Sequence, residues 1–485
     1  MSEHEKACEY FEKALSMNIA LYGAICHPRI AADYNNIGRT CAGLNQHELA
    51  LAYYNKSLDM RKAMYGSNSS NCEIATTYSD LGDICASQGK YDSALEYYNV
   101  SLNMWKNIYG AETSHNCVAT LYNNIGRVYT ALGEFTSALN YCHKSLEMWK
   151  DIYGLASNHI NIATSYNNIG DVHRSLSDYA SALNYYSKSL EMEKTLYGEA
   201  TNHADIATTY NNIGLTYESQ GDYAAALDWH TKSLEMRKMV YGAEAAHAEI
   251  ATCYNNIGLS YDSLGEYELA LVHYSKSLSI MKVVCAPEVN HPEIAKTYNN
   301  IGYVRYSLGD FAGALECHEN SLVMRKAIYG DNADHADIAT SYNNIGLIYH
   351  SQNEYASALA YYRKSLDMSK AVYGETAVHA DIAKGYNNIG CIYERLEDYR
   401  LALEYYTKSL EMKICIYGTD TNHIDIATGY NNIGTAYLRL GDRASALEHY
   451  TKSLRMKVAI FGPDSNHPSI MRTYQSIAAI LSNMV

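Results

Sequence analysis

The pentapeptide YNNIG occurs nine times, its tyrosine at positions 34, 122, 166, 210, 254, 298, 342, 386 and 430, and degenerate copies begin at Tyr78 (YSDLG) and Tyr474 (YQSIA). Successive copies stand 44 residues apart. A fixed period of this length means that each copy is one supersecondary unit, unable to bury its apolar face alone and obliged to stack on its neighbours. At ~150 residues per domain the chain length would otherwise suggest about three domains; the period predicts one array over residues 1–485 instead. Five prolines, no Ser/Gly linker and no charge run leave no boundary inside it.

One period, taken from Asn202, reads NHADIATTYNNIGLTYESQGDYAAALDWHTKSLEMRKMVYG. Ile206, Ala207, Tyr210, Ile213, Gly214 and Tyr217 follow three- and four-residue spacing, Gly221 interrupts, and Tyr223, Ala226, Leu227, His230, Leu234 and Met236 resume the rhythm. This pattern predicts two amphipathic helices and a turn. Asn202 with Asp205, Asn290 with Glu293, Asp334 with Asp337, Asn422 with Asp425 and Ser70 with Glu73 pair a capping residue with an acid three positions on, the signature of a helix start. A glycine stops nearly every second helix (Gly66, Gly110, Gly154, Gly198, Gly242, Gly330, Gly374, Gly418, Gly462), which predicts a left-handed C-cap; Ala286, followed by Pro287, is the exception.

Tyr210, Ile213, Gly214, Tyr217, Gly221, Tyr223, Ala226, His230 and Ser233 carry the spacing of the tetratricopeptide pattern, and the chain resembles tetratricopeptide repeat (TPR) proteins over essentially its whole length. The long period and the string Gly, His, Ile-Ala, Asn-Asn and Gly-x-Tyr are similar to the repeats of kinesin light chains and nephrocystin-3, with a slightly longer loop between Gly and His. The resemblance implies an all-α, right-handed superhelical solenoid of about 22 helices: an orphan second helix at 3–22, ten helix pairs over 23–462, and a terminal capping helix in 463–485. No heptad segment of the kind that joins a motor heavy chain is evident, so motor attachment does not carry over.

The net charge of −15 argues against a nucleic-acid partner, whose phosphates are held by clustered Lys and Arg. The first residues are acidic and amphipathic, and no apolar run approaches ~18 residues, so no membrane partner and a cytoplasmic location are expected. Twelve cysteines share no repeat position and form no CxxC; neither a disulfide framework nor a zinc site is indicated, and no cofactor is expected.

Asparagine lies roughly 0.5 kcal/mol or more below alanine inside a helix, so nine Asn-Asn pairs need an offsetting use. In the TPR frame the second of each pair lines the concave groove: Asn36, Asn124, Asn168, Asn212, Asn256, Asn300, Asn344, Asn388 and Asn432, interrupted by Asp80. An amide complements a peptide unit's own N–H and C=O, and helices ~8–10 Å apart would meet every third residue of an extended chain at ~3.3 Å per residue. The resemblance implies this asparagine-ladder role. The alternative is that the amides hold neighbouring repeats together or bind water.

At the position after the motif glycine the series runs Arg39, Asp83, Arg127, Asp171, Leu215, Leu259, Tyr303, Leu347, Cys391, Thr435. Its first four residues read as a cross-repeat charge ladder, and Leu215, Leu259, Tyr303 and Leu347 as an apolar strip. Lys296, Lys384, Arg395 and Arg439, with Arg472, bring positive charge toward the C-terminal groove, which suggests a protein or peptide ligand with an apolar anchor and flanking acids.

The histidine row from His115 to His467 invites a metal reading, but a line of residues offers two near neighbours where zinc takes three or four ligands; loop packing is the expectation. The serine column Ser57 to Ser453 and the tryptophans Trp105, Trp149 and Trp229 are read as packing residues. The leading functional reading is a non-enzymatic scaffold that binds an extended segment of another protein; the alternative is a structural component docked statically in a larger assembly.

Overall fold

A computed structural model describes residues 3–482 apart from 24, 45, 67, 68, 112, 156, 199, 200, 287–289, 419, 420, 463, 464 and 466. The described residues form 22 α-helices and no strand. The helices fall into two compact units, Met1–Ala245 and Ala246–Val485.

The first unit opens with α1 (Glu3–Tyr22). Its first helices are α2 (Pro28–Gly43), α4 (Cys72–Ser87), α6 (Asn116–Ala131), α8 (Ile160–Ser175) and α10 (Ala204–Gln220); they alternate with second helices α3 (His47–Tyr65), α5 (Tyr91–Tyr109), α7 (Phe135–Tyr153), α9 (Tyr179–Tyr197) and α11 (Tyr223–Tyr241). The second unit runs through first helices α12 (Ala248–Ser263), α14 (Pro292–Ser307), α16 (Ala336–Ser351), α18 (Ala380–Arg395), α20 (Ile424–Arg439) and α22 (Pro468–Ser482). Its second helices are α13 (Tyr267–Val284), α15 (Phe311–Tyr329), α17 (Tyr355–Tyr373), α19 (Tyr399–Tyr417) and α21 (Arg443–Phe461).

Within a pair the two helices meet at a bare backbone. A Cβ placed on Gly38, Gly82, Gly126, Gly170, Gly214, Gly258, Gly302, Gly346, Gly390 or Gly434 would lie 2.5–3.0 Å from the side chain opposite it, a tyrosine in seven pairs, a histidine at His230 and His318, and Cys142 in the third. Tyr186 is thereby fully buried, worth about 2 kcal/mol as apolar area removed from water. In α22 the corresponding residue is Ala478, exposed, so this helix lacks the bare seat. The serine column adds a polar clasp: among the described residues nine of the ten hydroxyls, all but that of Ser277, donate to an alanine carbonyl of the paired first helix 26 residues earlier, as in Ser57 to Ala31 (2.7 Å) and Ser453 to Ala427 (2.6 Å).

Both kinds of helix end differ from the sequence expectation. The N-cap is the histidine one residue after the expected Asn or Asp. His203, His291, His335 and His423 have extended backbones, and each Nδ1 accepts the backbone N–H two residues on, at 3.1–3.3 Å. The rings of His203, His335 and His423 also stack on the last tyrosine of the preceding helix, with centroids 3.6 Å apart in each; at His291 that position is Cys285. Where that histidine is absent, Asn71 caps α4 in place of the expected Ser70. At the second-helix ends the glycines have positive φ but extended ψ, as at Gly330 (φ 105, ψ 143), so they are not left-handed helical caps; this backbone is open essentially to glycine alone. Helix α13 ends at Val284 with Cys285 as its cap, and Pro287 lies outside the described residues. Among the described residues no helix is long and apolar enough to cross a membrane.

Candidate functional site: the first-helix face

In each unit the first helices of successive pairs touch, α2 with α4, α4 with α6, α6 with α8, α8 with α10, and α12 with α14. Residues one or two places after the motif tyrosine, and at the position after the motif glycine, therefore converge on one face.

The asparagines of the second unit are joined across repeats. Asn300 donates through Nδ2 to Asn255 Oδ1 (3.2 Å), Asn344 to Asn299 (2.8 Å), Asn388 to Asn343 (2.8 Å) and Asn432 to Asn387 (3.0 Å). The second amide of each repeat thus reaches the first amide of the repeat before it, 45 residues away. Asn344 is the most enclosed, 1% exposed, and its carbonyl also accepts the Tyr303 hydroxyl (2.7 Å) and the Asn343 amide (3.3 Å). Asn256 is buried too. Asn300, Asn388 and Asn432 are half-buried, each with one N–H committed to its neighbour and Oδ1 uncommitted among the described residues.

In the first unit the amides shown take other partners. Asn35 donates to Asp80 (2.9 Å), Asn123 to Ser165 (3.3 Å) and Asn124 to Asp83 (3.0 Å). Asn36, Asn168 and Asn212, half-buried, make no side-chain hydrogen bond among the described residues. The expected charge ladder has different partners: Arg39 lies 3.6 Å from Asp80 rather than against Asp83, and Asp171 pairs with Arg174 of its own helix (3.6 Å). The hydroxyls of Tyr98 and Tyr186 donate to Asp83 (2.6 Å) and Asp171 (2.7 Å). Desolvation raises the Asp83 carboxyl to about 6, against the lowering effect of the Tyr98 bond. Asp83, Tyr98, Asn124 and Arg127 line a cleft of about 500 Å³.

Leu215 is half-buried in the first unit; Leu259, Tyr303 and Leu347 are half-buried in the second, where Tyr303 also meets His318 edge-on at 5.3 Å. Lys296 is exposed and 3.9 Å from Glu293. Lys384, Arg395 and Arg439 are exposed and have no ion pair among the described residues.

Two features of the repeat seams carried no sequence expectation. At one second-helix position the residues run Arg61, Trp105, Trp149, Glu193, Arg237, Met281, Arg325, Ser369, Lys413, Lys457. Several bury a polar head against the next first helix: Arg61 bonds Thr77 and the Glu73 carbonyl, Arg325 bonds Ser341 (2.8 Å), and Lys457 bonds Thr473 (2.9 Å). Glu193, 1% exposed, accepts from Thr209 (2.9 Å), Ser189 (3.1 Å) and Asn167 (3.3 Å), and desolvation lifts its carboxyl to about 7 despite these bonds. The next position holds lysine in eight successive repeats, and its ammonium lies over the following motif tyrosine, as Lys62 over Tyr78 at 5.3 Å.

These pairs define a helical repeat protein. The tetratricopeptide repeat family matches residues 1–63, 117–195, 196–239, 205–282, 293–371 and 337–414 in one form and 74–115 and 426–469 in another, and the chain belongs to that family. No curated protein matches it. Among solved structures it is similar to the apo form of the quorum sensor NprR from B. thuringiensis, at 18% identity over 77% of this chain and 99% of that one with a TM-score of 0.51. It is also similar to the apo form of RapI, at 16% identity over 80% and 98% with a TM-score of 0.51. A Podospora anserina protein classed as a kinesin light chain, with nearly identical TPR-like repeats, matches at 12% identity over 45% and 100%, with a TM-score of 0.38. At these identities the similarity concerns the fold.

Proposed function

We propose that the chain is a non-enzymatic protein-interaction scaffold whose first-helix face receives an extended segment of another protein. The reading rests on Asn300, Asn388 and Asn432: each keeps an acceptor and a second N–H after its bond to the preceding repeat, the pair of groups that complements a peptide unit. Lys384, Arg395 and Arg439 stand exposed on the same helices without ion pairs among the described residues, so an acidic segment would gain charge contacts there. At about 0.5–1.5 kcal/mol per hydrogen bond, several such contacts support a micromolar complex once ordering costs are subtracted. In the first unit the same role falls to Asn36, Asn168 and Asn212, and Leu215 would seat an apolar side chain; in the second, Leu259, Tyr303 and Leu347 would do so.

A static structural role is favoured by one observation: at Asn344 the amide is buried and its carbonyl is spent on Tyr303 and Asn343. The two readings separate by capture from a lysate followed by titration of the captured segment. A reader of extended peptides loses affinity on Asn388→Ala with Asn432→Ala and on Lys384→Glu with Arg439→Glu, while its melting profile stays close to wild type. Capture unaffected by all four substitutions would refute the peptide reading.

A further inference from the structure

The lysine that covers the next motif tyrosine is present in eight successive repeats, from Lys62 to Lys370, and then becomes Ile414. In the second unit Lys282, Lys326 and Lys370 place their ammonium groups 5.2, 5.6 and 5.7 Å from the ring centroids of Tyr298, Tyr342 and Tyr386. Over Tyr430 no lysine arrives from that position; Lys452 of α21 lies 5.7 Å from its ring centroid instead, and a cleft of about 380 Å³ opens between α19, α20 and α21. Its floor is Ile414, Ile426, Tyr430 and Met456, and its rim carries Lys452 and Arg455. Lys452 is held by Glu448 at 2.7 Å. Arg455 has no ion pair among the described residues and is basic at a position that elsewhere holds Asp59, Asn103, Glu147, Glu191, Glu235, Ser279, Val323, Asp367 and Glu411.

The first unit supplies an internal comparison. The corresponding cleft at Tyr78 is smaller, about 260 Å³, and its rim positions are Val100 and Asn103; Lys62 covers the ring at 5.3 Å. Two departures from the repeat pattern therefore coincide at one place, replacement of the seam lysine by the apolar Ile414 and appearance of an unpaired cation, Arg455, beside the apolar floor.

We propose that the Tyr430 cleft is a second docking site, which takes a bulky apolar side chain flanked by carboxylates from a partner polypeptide. An apolar floor with a few convergent polar groups is the usual form of a recognition pocket, and this volume accommodates one large side chain. The carboxylates face Arg455, where a charge-assisted bond is available without breaking an existing pair. Tyr430 and Asn432 are two residues apart, roughly 200° around the helix, so the cleft opens away from the amide row and stands independently of peptide binding there.

The test is calorimetric titration of the full chain with acetyl-Glu-Trp-Glu-Glu-amide, with acetyl-Glu-Ala-Glu-Glu-amide and with indole-3-propionate. Ile414→Lys restores the residue found in eight repeats, so the fold is retained and positive charge is added. The proposal expects this variant, Arg455→Glu and the alanine peptide each to bind about tenfold more weakly or worse. Equal or tighter binding by Ile414→Lys would show charge alone at work and overturn the proposal, as would no binding at millimolar peptide. Indole-3-propionate binding as tightly as the tryptophan peptide would overturn the polypeptide assignment in favour of a small aromatic acid, and loss of binding in Asn388→Ala would place the peptide on the amide row instead.

Discussion

Replacing Asn344 by alanine should weaken the second unit locally, where the same change at Asn212 should not. The Asn344 amide donates to Asn299 (2.8 Å) and accepts from Tyr303 (2.7 Å) and Asn343 (3.3 Å) while 1% exposed. Truncation strands a carbonyl and a hydroxyl out of water, at about 1–3 kcal/mol each, and the alanine returns roughly 0.5 kcal/mol of helix propensity. Tyr303 is half-buried and regains part of its hydration, so the net expectation is a loss of about 2–4 kcal/mol, within the span of about 1.5–5.5 those figures allow. Asn212 makes no side-chain hydrogen bond among the described residues, so there the propensity gain stands nearly alone and the change is neutral or stabilising by a few tenths of a kcal/mol. Repeat stability is the sum of local and nearest-neighbour contributions, so a global melting point would dilute the effect. Native-state hydrogen exchange resolves it: amides of α14 and α16 should exchange roughly 30- to 1,000-fold faster in Asn344→Ala, at tenfold per 1.4 kcal/mol. Equal protection of these helices in the two variants would refute an inter-repeat role for the amide row.

Other outcomes follow from the seams and caps. Because the Glu193 carboxyl is lifted to about 7 in the fold from an ordinary value near 4.5, its contribution is fully present below pH 4.5 and is lost as pH rises through about 7; Glu193→Gln should abolish a decline on the order of 2–3 kcal/mol between pH 5 and 8, read by exchange in α8 to α10. Gly346→Ala would press a Cβ to 2.8 Å from the Tyr362 ring and should lower the unfolding free energy read from urea titration by about 1–3 kcal/mol through overpacking. His335→Ala removes the cap of α16 and the stack on Tyr329 at 3.6 Å, for about 1–2 kcal/mol in thermal unfolding, and His335→Asn should recover the capping share of about 1 kcal/mol.

The helices and their number were legible because each follows from periodicity within one repeat, whereas the seating of a second-helix ring on the motif glycine came from the structure. The cap histidines were missed by one residue: the common capping residues stand beside them, and the tyrosine on which the ring of His203, His335 or His423 stacks belongs to the previous helix. The amide bonds were illegible for a different reason. A 44-residue ruler compares a position with its own copies, while Asn344 reaches Asn299, one residue off that ruler, so an alternative left open by propensity could be resolved only by the offset between stacked helices. The basic residues Lys384, Arg395 and Arg439 stand exposed on the first helices, and the Arg39 to Asp80 pairing depended on a side-chain reach that spacing alone does not give.

The buried column that runs from Arg61 to Lys457 makes the repeats chemically keyed despite their near-identity. Excision of residues 194–237, one full period, would leave every helix length and turn intact, yet Glu193 would then precede Cys253 where it now meets Thr209. A thiol is a poor donor to a buried carboxylate, so a deletion silent in shape would leave a buried ionisable group with Ser189 and Asn167 but without its shortest bond. Copies that look interchangeable in a dot plot are thus locked into a single order by what lies between them.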